Sequence, residues 1–160
     1  MEKIPITRAG FARLKKELEV LKTISIPENI REIETARAQG DLSENAEYSA
    51  AKERQSFLHG KMQELENNLA MSDVIELKNL GGDRAVFGAT VTIADGSTGK
   101  ETAYQLVGPL ESDLKSNKIS VTSPIGRALI GKCVGDEVRA DTPGGLREFE
   151  ITDISIEEED

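Results

Sequence analysis

Residues 38–50 read AQGDLSENAEYSA, and the fold turns on how this stretch is read. A helical pattern runs up to it from about residue 8, and a second runs away from it to about residue 74. Gly40 lies between them and is the first glycine after Gly10. Glycine takes the left-handed conformation freely, so Gly40 reads as the stop of the first helix. Two helices joined by about four residues must lie side by side and antiparallel.

The second arm has the cleaner pattern. Tyr48, Ala51, Gln55, Leu58, Met62, Leu65 and Leu69 recur at alternating spacings of 3 and 4, the seam of a coiled coil. In the first arm Phe11, Leu14, Leu18 and Leu21 follow the same rule. The seam then slips by 5 residues to Ile26, Ile30 and Ile33, with Arg37 and Gly40 in phase. Pro27 sits at the slip, and a proline inside a helix removes a hydrogen bond. A kink or short break is expected near Ser25–Pro27, with Pro27 in the first turn of a restarted segment. From Arg8 to Gly40 the arm would span roughly 50 Å. Toward the tip the leucines and isoleucines give way to Ala36, Arg37, Ala51 and Gln55, so packing there is thin.

After Asp73 the period changes. VFGATVTIA (86–94) alternates apolar and β-branched residues, DGSTG (95–99) reads as a turn, and ETAYQLVG (101–108) as the return strand. KISVTSP (118–124) is a short strand stopped by Pro124, and IGRALIGK (125–132) a short helix. DEVRADTPGGLREFEITDISI is a second hairpin turning at PGG (143–145). The expected class is α+β: an antiparallel helical hairpin over 1–78, a linker in NLGGDRA, and a sheet domain over 79–160.

Composition removes several functions. The 160 residues carry 20 basic and 29 acidic side chains, net −9, which argues against duplex DNA held through a broad basic face. The charge is uneven: residues 1–75 hold 11 basic and 13 acidic side chains, residues 76–160 hold 9 and 16. One cysteine (Cys133) and one histidine (His59) leave no Cys/His zinc cluster. Cys133 reads as a packing residue and His59 as an exposed helix position. MEKIPITRAG lacks a signal peptide's apolar core and no apolar run is long enough for a span, so a cytoplasmic protein is expected.

The tip admits two readings. Asp41 three residues before Glu44 fits the spacing of a capping box, and acids suit a helix N-terminus. Capping, however, needs one acceptor, and the tip carries Asp41, Glu44 and Glu47 beside an apolar Leu42. Asp41 and Glu44 together could hold a divalent cation, although Mg²⁺ wants six oxygen ligands and would need a second macromolecule to complete the set.

GDLSENAEY (40–48) resembles the tip signature of the bacterial Gre transcript-cleavage factors, close to their A type. IPIT (4–7), VFGATVTI, SPIGRALIGK (123–132) and TPGG resemble further motifs of that family in the same order. The resemblance implies a coiled-coil hairpin followed by an FKBP-like domain. It implies that the globular domain docks on RNA polymerase and the hairpin enters the polymerase's secondary channel. There the factor would stimulate the polymerase's own cleavage of the 3′ end of backtracked nascent RNA. The family's two essential acids fall on Asp41 and Glu44, as catalytic residues and as ligands of a Mg²⁺ shared with the polymerase; Glu47 is read as a solvated acid. Arg37 and Lys52 fall at the family's RNA-contacting basic patch, and ordinary solvated pairing is an equal reading for either alone. Ser123, Pro124 and Ile125 fall in the polymerase-docking surface, where Ser123-Pro124 also reads simply as a helix start. The family often has alanine in place of Gly126, which implies a looser helix start here.

Two other functions compete: a non-cleaving channel regulator, which the same architecture would serve, and a prolyl isomerase or chaperone, suggested by an FKBP-like domain alone. The intact DLSE disfavours the first. The second needs an aromatic-lined pocket, and the C-terminal half offers only Phe87, Tyr104 and Phe149. A hairpin closes its seam within one chain, so a monomer is expected.

Overall fold

The slip in the first arm is a π-helical turn. In the computed structural model, which describes residues 3–40, 45–76 and 84–156, α1 (Arg8–Val20) passes through a π-helical segment, Leu21–Ser25, into α2 (Ile26–Arg37). The Ile26 N–H donates to the Leu21 carbonyl, five residues back. The next carbonyl would need a donor at Pro27, which has none. Backbone angles stay right-handed helical at Val20, Ser25 and Ile26, so the expected break is a bulge within a continuous helix. A turn closing on residues five apart also carries the seam from Leu21 to Ile26.

By its contacts the chain forms two units, Met1–Gly10 with Ser72–Asp160, and Phe11–Met71; the sequence reading drew its boundary at 78/79. The second unit is the hairpin. Its return arm, α3 (Ala46–Met71), buries Ala51, Leu58 and Leu65, and half-buries Tyr48, Gln55, Met62 and Leu69 between them. That is the expected seam. Leu21, Leu58 and Leu65 form its apolar centre, with Leu14, Leu18, Ile26 and Met62 packed around them. The arms run antiparallel: Lys22 pairs with Glu66 at 3.1 Å, and Glu32 approaches Arg54 at 3.9 Å. In α2 the expected seam is corrected. Ile30 is 46% exposed, and the buried residues are Asn29, Ile33 and Ala36.

The other unit is built on a five-stranded sheet ordered β5-β4-β3-β7-β6, from β3 (Thr90–Asp95), β4 (Glu101–Val107), β5 (Lys118–Ser120), β6 (Glu137–Thr142) and β7 (Gly145–Ser155). The β3–β4 and β6–β7 pairs are the two expected hairpins, and β3–β7 is also antiparallel; β5 runs parallel to β4. Val91, Ile93, Leu106, Ile119, Leu129, Val138, Phe149 and Ile151 form the core, with α4 (Pro124–Leu129) contributing Leu129. A second, two-stranded sheet joins β1 (Ile4–Ile6) in parallel to β2 (Ser72–Val74).

Thr7 and Glu111 form a buried polar knot beside β1. The Glu111 carboxylate accepts from the Thr7 amide and the Gly108 amide, each at 3.0 Å, and from the Thr7 hydroxyl. Thr7 Oγ1 in turn accepts from the Gly10 amide at 3.1 Å. A Cβ on Gly108 would overlap the Pro5 carbonyl, and one on Gly10 the Glu111 carboxylate, so glycine is what the close approach requires.

The β3–β4 turn is organised by Asp95. Its carboxylate accepts from the Ser97 hydroxyl (2.7 Å), the Ser97 amide (2.8 Å), Arg147 (3.2 Å) and the Thr98 amide (3.2 Å). These donors, the Ser97 hydroxyl foremost, hold the carboxyl well below the usual aspartate range. A depressed folded-state pKa means the turn's contribution is whole above the ordinary value of 3.8 and fades as pH falls below it. A pH titration of the Asp95 carboxyl carbon by NMR is expected to give a midpoint under that ordinary value; a midpoint at or above it refutes the reading.

Candidate functional site at the hairpin end and the α4 turn

Asn45 starts α3. Its Oδ1 accepts from the Glu47 and Tyr48 amides at 3.0 and 3.2 Å, the two donors an N-cap serves. The sequence reading gave this task to Asp41. Asn45 was legible as a cap, since asparagine is among the best N-caps and directly precedes the periodic run, but the capping-box spacing drew attention upstream. The Asn45 Nδ2 also donates to the Ala36 carbonyl at 2.8 Å, adding a second donor to a carbonyl in the last turn of α2. On that side the Ala38 amide donates to the Glu34 carbonyl and the Gln39 amide to that of Ala36, both at 3.2 Å. The helix ends at the C-cap Ala38, so the reading of Gly40 as its stop is corrected by two residues; Gly40, with φ +110 in the region that favours glycine, turns the chain after the helix has ended.

Asp41 and Glu44 themselves, with Leu42 and Ser43, lie outside the described residues. Among the described residues no group of three or more His, Cys, Asp or Glu is placed to hold a metal. Arg37, in the last turn of α2, and Lys52, early in α3, are both exposed, and Lys52 Nζ donates to Gln55 Oε1 at 2.8 Å. Glu47 and His59 are exposed.

The α4 turn is held by Ser123. Its Oγ accepts from the Gly126 amide at 3.1 Å and donates to the Ser120 carbonyl at 2.6 Å, and Pro124 occupies the start of the helix. The helix-start reading of Ser123-Pro124 is therefore correct as local structure. Ile125 packs partly against the sheet core, and all three residues are half-buried. Gly126 is fully engaged: a Cβ there would overlap the Ser120 carbonyl, so alanine requires the start of α4 to move away from β5. Cys133 is half-buried, and its amide donates to Asp136 Oδ2 at 2.8 Å.

Comparison with known proteins identifies the family over nearly the whole chain. Residues 4–74 match the family described as transcription elongation factor, N-terminal, and residues 80–156 the C-terminal family of transcription elongation factors GreA/GreB. Transcription elongation factor GreA of Syntrophus aciditrophicus is 70% identical over 156 residues, covering 98% of this chain and 97% of that protein. That of Anaeromyxobacter sp. is 50% identical over 160 residues, covering 100% and 96%. Among solved structures, GreA factor homolog 1 of Thermus thermophilus is 28% identical, covers 96% of this chain and 99% of that one, and superposes with a TM-score of 0.43. The chain belongs to the GreA/GreB family of transcription elongation factors. No helix among its described residues is long and apolar enough to cross a membrane.

Proposed function

We propose that this protein stimulates RNA polymerase to cleave its own backtracked transcript, by inserting the helical hairpin into the polymerase's secondary channel. The observation that carries this reading is the cap of α3. Asn45 supplies it, so α3 does not need the carboxylates of Asp41 and Glu44 for its start. Two acids at the end of a hairpin, released from capping, are available for chemistry.

Carboxylate oxygens are the hard donors Mg²⁺ takes, and two are fewer than its six. Asp41 and Glu44 therefore fit a shared site in which the polymerase provides the remaining ligands. A bound Mg²⁺ supplies charge stabilisation and a more acidic water. The two carboxylates hold that position and orient what occupies it. Arg37 and Lys52, exposed on opposite arms, are placed in sequence on either side of the acids; a guanidinium and an ammonium both suit the phosphates of an extruded RNA 3′ end. Ser123 holds Pro124 and Ile125 in a fixed turn, a suitable docking element for the polymerase rim. In this reading the chain is a monomeric cytoplasmic cofactor and hydrolyses no RNA by itself.

The test is a polymerase stalled in a backtracked complex with 3′-labelled RNA. Release of short labelled fragments is expected when this protein and Mg²⁺ are added, and none from the protein with free RNA. Binding to polymerase that slows nucleotide addition without shortening any transcript would instead establish a non-cleaving channel regulator.

A further inference from the structure

The outer part of the hairpin is joined by two side-chain amides where apolar packing is least. From Asn29 outward the buried apolar residues are Ile33, Ala36 and Ala51, of which only Ile33 is large. Asn29 of α2, only 2% exposed, donates from Nδ2 to the Ala51 carbonyl of α3 at 2.9 Å. Asn45 of α3 donates from Nδ2 to the Ala36 carbonyl of α2 at 2.8 Å. The bonds cross the seam in opposite senses, each from one arm's side chain to the other arm's backbone. A seam with one isoleucine and two alanines resists sliding weakly, because a displaced alanine loses little contact. A buried amide aimed at one carbonyl resists strongly, because sliding leaves it unpaired. A single polar residue in a coiled-coil core sets register in the same way.

We infer that Asn29 and Asn45 are positioning residues that lock the register of the two arms and so fix where Asp41 and Glu44 are presented. The inference rests on the cleavage reading above. Its chemical reason is tolerance: a catalytic constellation must be held within about half an ångström, and a misplacement of an ångström costs on the order of a hundredfold in rate. Neither asparagine needs to touch RNA, metal or polymerase.

Two substitutions separate register from stability. Asn29→Ala removes one donor and introduces a stronger helix former. Asn45→Ser keeps an oxygen to cap α3 but is too short to reach across to Ala36. Register is read as the distance distribution between spin labels at Glu34→Cys and Glu53→Cys, both exposed, with Cys133→Ser removing the native thiol. The distribution is expected to be narrow in the otherwise native background and to broaden or split in the Asn29→Ala/Asn45→Ser variant. In unlabelled protein the same pair should leave polymerase affinity within about twofold while lowering the maximal cleavage rate at saturation about tenfold or more. An unchanged distance distribution overturns the register lock. A broadened distribution with an undiminished maximal rate overturns its role in positioning. If the native protein releases no fragment, the cleavage reading fails by itself, and the distances still decide on the lock.

Discussion

Glu111→Ala is expected to destabilise the sheet domain by about 3 kcal/mol or more, the largest loss from any single side chain outside the apolar core. Glu111 is 6% exposed, and its carboxylate serves three donors: the Thr7 amide, the Thr7 hydroxyl and the Gly108 amide. Truncation strands all three where water is largely excluded, and each stranded donor costs roughly 1–3 kcal/mol before relaxation. For a chain of this size the loss corresponds to a fall of roughly 10 °C in midpoint temperature, read by circular dichroism. Glu111→Gln should fall between. Its amide oxygen can still accept, but its NH₂ must face one of the same donors. Gly108→Ala tests the site by a separate route, since its Cβ would press on the Pro5 carbonyl and push β1 away. A Glu111→Ala protein that melts within about a degree of the native one would show that these donors find water instead, and the knot would carry no stability.

The long-range part of this knot was invisible in sequence, whereas the hairpin was legible, and the difference is physical. The α3 seam runs at spacings of 3 and 4 without interruption, and a period is local information. The slip from Leu21 to Ile26 was legible as a slip; its resolution needed the rule that a turn closing on residues five apart keeps both on one face. Ile30 misled because Ile26, Ile30 and Ile33 also satisfy the spacing of 4 and 3, so the period alone does not separate Ile30 from Asn29. The step of 3 from Ile26 lands on Asn29, and burial is acceptable there because the Ala51 carbonyl meets its amide. Both sheet hairpins were legible from DGSTG and TPGG. The pairing of Ile4–Ile6 with Ser72–Val74, and of Thr7 with Glu111, joins segments far apart in sequence that carry no shared period. Asp41 and Glu44 are the converse case. Their residue type and place were plain at once, but a half-site declares its use only through the molecule that completes it.

Asp41→Asn/Glu44→Gln is expected to abolish cleavage stimulation while leaving the fold and polymerase binding intact. The substitutions keep size and hydrogen-bonding capacity and remove only the charge that a divalent cation requires. Loss of metal-held charge stabilisation is worth several kcal/mol, so the cleavage rate at saturating factor should drop roughly a hundredfold or more. The competing explanation of these acids, helix capping, makes the opposite prediction. If they start α3, the double variant loses helicity and the distal arm frays. Because Asn45 already serves the Glu47 and Tyr48 amides, helicity should hold, apart from a dipole contribution of about 0.3–1 kcal/mol per acid. Magnesium separates the roles further. Each single variant still offers one carboxylate, so its cleavage should recover in part as Mg²⁺ is raised, shifting the half-saturating concentration upward. The double variant offers none, and no Mg²⁺ concentration should restore it. Full cleavage by the double variant at ordinary Mg²⁺ would remove Asp41 and Glu44 from the chemistry altogether and leave the hairpin as a mechanical probe of the channel.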